Sequence, residues 1–531
     1  MKGGKVLGSG TYGCILKPAL PCLGSTVRPS DTVSKLMMEY NALDEMQEII
    51  NISQITKKIP DHNQFYILNQ IRICPPESLT PEDKIDFNKK CTAMTSKGIK
   101  RNSINTAIDQ NQIAILQLPD GGFDITHYFA KGNLTEGRFT KINEALLKLL
   151  VGGISPLNKV GVLHQDIKAP NIVYSESNNL ARLIDWGLAT TFKGAGVPKN
   201  VRGWPVMFNA AFGILVFHKS IQRTFEAIMA TEKMRDEVAK YKDQDIVEKM
   251  HPTVKDALKR IIFENDNSVT RHIGSMGHIL FLESVLKKIV ELSPPSLGEA
   301  FVASVKRSPF RALSSMICDH LARIFLTFSV TPSNTIGKFR DAEFFNKVYK
   351  INCDIIGFIS TYYDLMNNKD TTADRRYKAF NIVMKYQMSP RYATRPIDVH
   401  DVVKTISEAY LPNKQLAVEV VPPAPTVKQP GAPPAPIMVQ EERKLPKDNF
   451  TWSLTRRCPK GYRRNKKTQK CTKSIDIDKT KKTRCPNGTK RNKITGRCES
   501  INKEGRGSKT KRRRCPNGTR MNKITGNCES K

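Results

Sequence analysis

The sequence has no run of about 18 apolar residues, so nothing in it reads as a membrane span. Its opening, MKGGKVLGSGTYG, puts glycine and serine where a secretory signal needs an apolar stretch. The body is therefore expected to fold in a reducing cytosol. Acidic residues are scarce: 50 Asp and Glu against 85 Lys and Arg leave a formal charge of +35 over 531 residues. That excess is concentrated. Residues 451–531 hold 27 Lys/Arg and 5 Asp/Glu, a net +22, which leaves only +13 for the other 450. Such a charge suits an acidic partner: nucleic acid, an anionic surface or an acidic protein.

A chain of this length divides into two or three structural units. Residues 1–118 read as short β-runs (KVLG, CILKPA, TVSKLM, QFYILNQIRI, QIAILQL) broken by one helical segment near Glu39–Ser53. The polar stretch from Pro75 to Asn111 reads as an insertion or long loop. Residues 119–410 form the rear part, mostly helical in pattern from about Lys141 to Tyr410, with segments such as EALLKLLVGGI, ESVLKKIVEL and ARIFLTFSV. The expected class is α+β: a β-rich front lobe and a larger helical rear lobe. Residues 411–450 form a linker whose core, PPAPTVKQPGAPPAP, holds seven prolines and favours an extended spacer. The tail, 451–531, repeats one pattern three times: CPKGYRRNKKTQKC, CPNGTKRNKITGRC and CPNGTRMNKITGNC.

Cysteine divides in the same way. Six of the twelve lie scattered in the body (Cys14, Cys22, Cys74, Cys91, Cys318, Cys353), where buried thiols are expected rather than bridges. The other six bracket the repeats. A unit so small cannot bury a core, so a covalent or metal link must hold it if it folds. A disulfide across each loop would contribute roughly 3 kcal/mol. Free thiols in an unfolded tail are the second option. Zinc is the third, although the repeats lack histidine and a C-x2-C knuckle.

Four motifs carry chemistry. In LGSGTYGCIL, Gly8, Gly10 and Gly13 let backbone amides approach phosphate oxygens. The spacing also fits a dinucleotide loop, but that loop opens a helix. Here GCILKPAL continues as a strand, with Pro18 against a helix, so a hairpin lid over phosphates is expected. Lys35, in TVSKLM, would face the interior and need a carboxylate partner; taken alone it reads more readily as a solvated edge lysine. Glu39 is too near in sequence; Glu45 or Glu48 can reach, with Glu45 favoured. In HQDIKAPNIVY, Asp166 can accept a hydroxyl proton, Lys168 can neutralise a phosphoryl group, and Asn171 can offer an oxygen to Mg²⁺. In RLIDWGLA, Asp185 ends an apolar strand before Gly187 and is placed as a second metal ligand. A short hairpin, IVYSESNNLARLI, would bring it to Asn171.

Together these segments resemble the eukaryotic-type protein kinase motif set, in order and at workable intervals. The resemblance implies transfer of the ATP γ-phosphate to a protein hydroxyl with Mg²⁺, and Lys168 matches the serine/threonine type. It also implies that AILQLPDGGFDI joins the lobes, with backbone groups near Gln117 and Leu118 binding adenine. There are departures. Gln165 stands where many kinases have Arg, so activity is expected to survive phosphatase treatment. Trp186 replaces the usual Phe, neither A-P-E nor D-x-W-x-x-G follows clearly, and the rear lobe is long. GTYGCILKPAL, VSKLM, LPDGGFDI and WPVMFNAAFGIL resemble the divergent kinases of giant nucleocytoplasmic DNA viruses, as the tail resembles repeats in their proteins. Host cytoplasm or virion is the location this implies. The rival reading is a non-catalytic kinase-fold scaffold, or a basic nucleic-acid-binding structural protein. Such a scaffold would be free to lose one of Lys35, Asp166, Asn171 and Asp185, yet all are present. For the tail, few aromatics (only Trp452 and Tyr462) disfavour base stacking. A non-specific electrostatic tether to nucleic acid or an acidic protein is one reading, and a solubilising tail or localisation signal is the other.

Overall fold

The computed structural model describes residues 4–130, 134–241, 244–264, 276–292 and 298–411, together with six three-residue strands in the tail. In the front lobe a glycine-rich turn joins β1 (Lys5–Ser9) to β2 (Gly13–Lys17), and β3 (Thr32–Met38) leads directly into helix α1 (Glu39–Thr56). With β4 (Arg72–Cys74) and β5 (Ile113–Pro119) these strands form an antiparallel sheet in the order β1-β2-β3-β5-β4. The stretch QFYILNQIRI was expected to be a strand, but only its end enters β4. Tyr66 instead bridges to Leu183 of the rear lobe, and Phe65 closes a helical turn.

Alternation along β3 and β5 gives the sheet two faces. Met37, Ala114 and Leu116 point toward the rear lobe and join its core. Leu36, Ile113 and Ile115 point the other way, into a second core. That second core is supplied by the stretch from Pro75 to Asn111, which corrects its reading as a long loop. Three short helices, Phe87–Lys90, Thr92–Thr95 and Ile104–Asp109, bury Phe87, Met94, Ile104 and Ile108 on the outer face.

Two disulfides staple this cap: Cys14–Cys91, with Cα atoms 5.4 Å apart, and Cys22–Cys74, at 5.7 Å. The expectation of buried thiols is thus overturned for four cysteines and met by Cys318 and Cys353, which are free and buried. Folding of the cap brings Cys91 to β2, and Cys74, at the end of β4 where the cap begins, meets Cys22 in the segment after β2. Arg28 adds a buried ion pair to Asp83 of the cap, at 2.6 Å.

Strand β5 ends at Pro119, after which Gly121 and Gly122 lead to β6 (Phe123–Asp124) and the helical lobe. Helix Glu136–Lys148 opens with Thr135 as its cap and runs into a π-helical turn, Leu149–Ile154. Strand β7 (Val162–Leu163) precedes the HQDIK loop, and β8 (Ile172–Ser175) and β9 (Leu180–Leu183) make the expected hairpin. Strand β10 (Thr190–Thr191) pairs back with β7. Helix Lys350–Ile359 is buried along most of its length. Much of the lobe's extra length lies before it, in helices that include Ile246–Lys259, Met276–Leu292 and Pro309–Thr327. Among the described residues no helix is long and apolar enough to cross a membrane.

The chain separates into two units, 1–425 and 426–531, so the break falls inside the proline-rich segment. Each repeat of the second unit contains a two-stranded antiparallel pair: Tyr462–Arg464 with Cys471–Lys473, Thr489–Arg491 with Cys498–Ser500, and Thr519–Met521 with Cys528–Ser530. The structure of the linker and the state of the repeat cysteines lie outside the described residues.

Candidate active site

The glycine segment is the tip of the β1–β2 hairpin, as its strand-like continuation implied. The Gly10 N–H donates to the Gly13 carbonyl at 2.9 Å, and Gly8 sits opposite Ile15. Gly13 is sterically required: an added Cβ would fall 2.7 Å from Met37 Cγ and 2.8 Å from the Leu36 carbonyl oxygen. It would also come 3.2 Å from the Lys35 stem.

Lys35 lies on the inner face of β3 and donates to both carboxylate oxygens of Glu45, at 2.7 and 2.9 Å, and to Asp185 Oδ1 at 3.2 Å. Glu45 is reachable because α1 starts where β3 stops and returns across the sheet. Burial disfavours the ammonium, but the Asp185 and Glu45 carboxylates outweigh it and hold Lys35 above its ordinary pKa. Burial likewise pushes Asp185 up, and Lys35 overrides it to hold the carboxyl below its usual value.

The second cluster is the loop after β7. Lys168 Nζ contacts both Asp166 oxygens, at 3.0 and 2.8 Å, and the Asn171 amide donates to the Asp166 carbonyl and to its Oδ2. The two clusters meet through Ile184, whose N–H donates to the Asn171 carbonyl at 3.1 Å and whose carbonyl contacts His164 Nε2 at 3.1 Å. The Asp166 N–H donates to His164 Nδ1, so the His164 proton sits on Nε2 and the Ile184 bond is a donation. Lys35, Glu45, Asp166, Lys168, Asn171 and Asp185 therefore occupy one site.

Gln165 and Asp185 both adopt left-handed backbone, with φ of 62° and 63°. Each costs roughly 1–2 kcal/mol for a residue other than glycine. Gln165 is held by donating its side-chain amide to the Leu188 carbonyl at 3.1 Å and to Thr190 Oγ1 at 2.6 Å. A neutral amide therefore anchors the segment after Asp185. Trp186 is buried as an aromatic anchor, edge-on to Tyr66 at 5.4 Å and 4.7 Å from the His164 ring.

Gln117 and Leu118 lie within β5, paired with Ser34 and Val33. The Gln117 side chain is buried and donates to the Leu20 carbonyl, away from the inner face, while Leu118 packs against the main core. Pro119 follows and has no N–H, so the strand end lacks a donor at that position.

Two residues escaped the sequence reading. Asp354 accepts from the backbone N–H groups of His164 and Gln165, both at 2.9 Å, and so fixes the turn that aims Asp166. Its signal was available: a lone carboxylate inside INCDIIGFIS has to be paired. Gly357, one helical turn on, allows contact with the loop, since a Cβ there would fall 2.8 Å from the Ile167 carbonyl. Asn209 is buried and donates to Asp166 Oδ1 at 2.9 Å and to the Ile167 carbonyl at 3.1 Å. Nothing in WPVMFNAAFGIL marked it.

The five-stranded sheet with its lysine–glutamate pair, set on a helical lobe that carries the HQDIK loop, defines a protein kinase-like fold. No family model matches the chain. Over 88 residues it is 30% identical to the serine/threonine-protein kinase H1 homolog of Pinctada fucata, covering 16% of this chain and 20% of that protein. Over 133 residues it is 27% identical to calcium-dependent protein kinase 6 of Oryza sativa subsp. japonica, covering 24% of each. The chain thus spans about a fifth to a quarter of the length of these curated relatives. Among solved structures it is similar to the Cydia pomonella granulovirus kinase PK-1, at 15% identity and a TM-score of 0.23, over 41% of this chain and 63% of that one.

Proposed function

We propose that this chain transfers the γ-phosphate of ATP to serine or threonine hydroxyls of proteins. The observation that carries the reading is the bridging of Glu45 and Asp185 by Lys35, beside an Asp166 held by Lys168, Asn171 and Asn209. In this mechanism Asp166 orients the attacking hydroxyl and takes its proton. Lys168 offsets the charge that develops on the transferred group, and Lys35, kept in place by Glu45, binds nucleotide phosphate oxygens. The turn between Gly8 and Gly13 would bring backbone N–H groups to the same phosphates, with the Gly10 N–H held by the Gly13 carbonyl to fix its shape. Asp354 and Asn209 act by positioning Asp166.

Magnesium fits the donor set. Asn171 has its amide nitrogen committed to Asp166, leaving Oδ1 to coordinate, and the Asp185 carboxylate is a second hard oxygen ligand. When bound, Mg²⁺ would neutralise phosphate charge. Adenine would meet the backbone at the end of β5, near Gln117 and Leu118. The neutral Gln165 anchor supports activity without a phosphorylated activation segment. The tail would act as a sequence-independent tether to nucleic acid or an acidic protein, read as duplex-DNA binding that falls steeply between about 50 and 200 mM salt. Its repeats, with VSKLM and WPVMFNAAFGIL, support a viral source.

The test is transfer of radiolabelled phosphate from ATP to a basic protein, wild type beside Asp166→Ala. The variant is expected to lose about 10²–10⁴-fold in rate while keeping its thermal midpoint. Equal incorporation by both would contradict the proposal.

A further inference from the structure

Helix Met276–Leu292 belongs to the helical stretch that lengthens the rear lobe, and its first turn meets the catalytic loop's neighbour. The Phe208 N–H donates to His278 Nδ1 at 3.4 Å, and the two rings stack with centroids 5.4 Å apart. Phe208 is fixed from two further sides: its carbonyl accepts from the Gln387 amide at 2.7 Å, and Phe281 packs on its ring at 4.6 Å. The next residue is Asn209, which holds Asp166.

We infer that His278 is a substrate-positioning residue, offering its Nε2–H beside the catalytic carboxylate to an oxygen of the acceptor segment in the protein substrate. A backbone N–H can only donate, so Nδ1 is the acceptor and the neutral ring carries its proton on Nε2. Among the described residues nothing is bonded to Nε2. Burial keeps the ring neutral, lowering its pKa, and the Lys168 ammonium adds to this while the Asp166 carboxylate opposes it. The residue that His278 grips is the chain neighbour of Asn209, which donates to Asp166 Oδ1, and this places the ring next to the catalytic loop. A neutral donor that a bound peptide can satisfy costs less to desolvate than a charged one. The role would also give a use to added helices that contribute none of the residues placed in the site above.

The inference rests on the phosphotransfer reading, so its test separates the two. Asparagine can keep an acceptor near the Nδ1 position, and glutamine can keep a donor near Nε2. In full-length protein, KM for the basic protein substrate, kcat, KM for ATP and the thermal midpoint are measured for wild type, H278A, H278N and H278Q. The expected result is that H278A and H278N raise the protein-substrate KM about five- to tenfold, the worth of one hydrogen bond. Their KM for ATP should stay unchanged, and H278Q should recover most of the loss. If H278N behaves as wild type while H278Q is impaired, His278 is a brace for Phe208 and the inference is overturned. It is overturned equally if wild type transfers phosphate and none of the variants alters the protein-substrate KM. Should H278A fail to fold, the asparagine and glutamine pair decides alone. Absence of transfer by wild type would remove the phosphotransfer reading, and this inference with it.

Discussion

The two faces of the five-stranded sheet are built on different principles. The inner face carries a buried ion pair, Lys35 with Glu45, whose geometry suits the proposed phosphotransfer. The outer face carries Leu36, Ile113 and Ile115 under a cap closed by two disulfides, and nothing on it suggests a reaction. One face commits buried charge, which rarely adds to stability. The other commits apolar area and covalent closure, which do, with one buried ion pair, Arg28 to Asp83, that ties the cap down and has no reacting group beside it. Cys14 lies between these worlds: it directly follows Gly13 of the glycine hairpin, and its bond to Cys91 ties that hairpin to the cap. Ser9 adds a second tie, accepting from the Ala93 N–H at 2.9 Å.

This contrast yields separable outcomes. The largest is expected on the outer face. The disulfides close separations of 77 and 52 residues, so chain-entropy arguments assign about 4 kcal/mol to each. The Cys74→Ser/Cys91→Ser variant, or wild type under strong reductant, should melt well below oxidised wild type. Where it remains folded, it should still transfer phosphate. A melting curve that reduction does not move would show that the cap needs no staples. A smaller change probes the same face. Phe87 is fully buried in the cap, and Phe87→Leu should lower stability by about 1 kcal/mol through lost packing, with kcat unaffected. Denaturant titration beside a kinetic assay reads both quantities. A drop in kcat at unchanged stability would mean that the cap communicates with the cleft.

The inner face was legible in the sequence for a physical reason. The proposed phosphate binding and proton removal need particular residue types at constrained spacings, so Gly8, Lys35, Asp166 and Asp185 stand out in the sequence, and the structure brings the last three together with Asn171. The outer face was not legible. Cysteines far apart in the chain carry no record of which ones meet. Helices of four to six residues are too short to show a period, so Phe87, Met94 and Ile108 looked scattered in a polar stretch. Asp354 is hard to find in the sequence because DIIGFI lacks both the tryptophan and the glycine spacing of D-x-W-x-x-G. Asn209 and His278 depend on tertiary approach alone.

The central claim is that charge on the inner face exists for chemistry and not for the fold, and Lys35 with Glu45 offers the most direct measurement. Lys35→Met alone strands the buried Glu45 carboxylate and should destabilise by about 3–5 kcal/mol, whereas Lys35→Met/Glu45→Leu leaves only the partly exposed Asp185 without its partner and should recover most of that loss. The account predicts that this restored double variant, assayed with ATP and a basic protein, transfers no phosphate above background. A double variant as stable as wild type that also phosphorylates at the wild-type rate would contradict it.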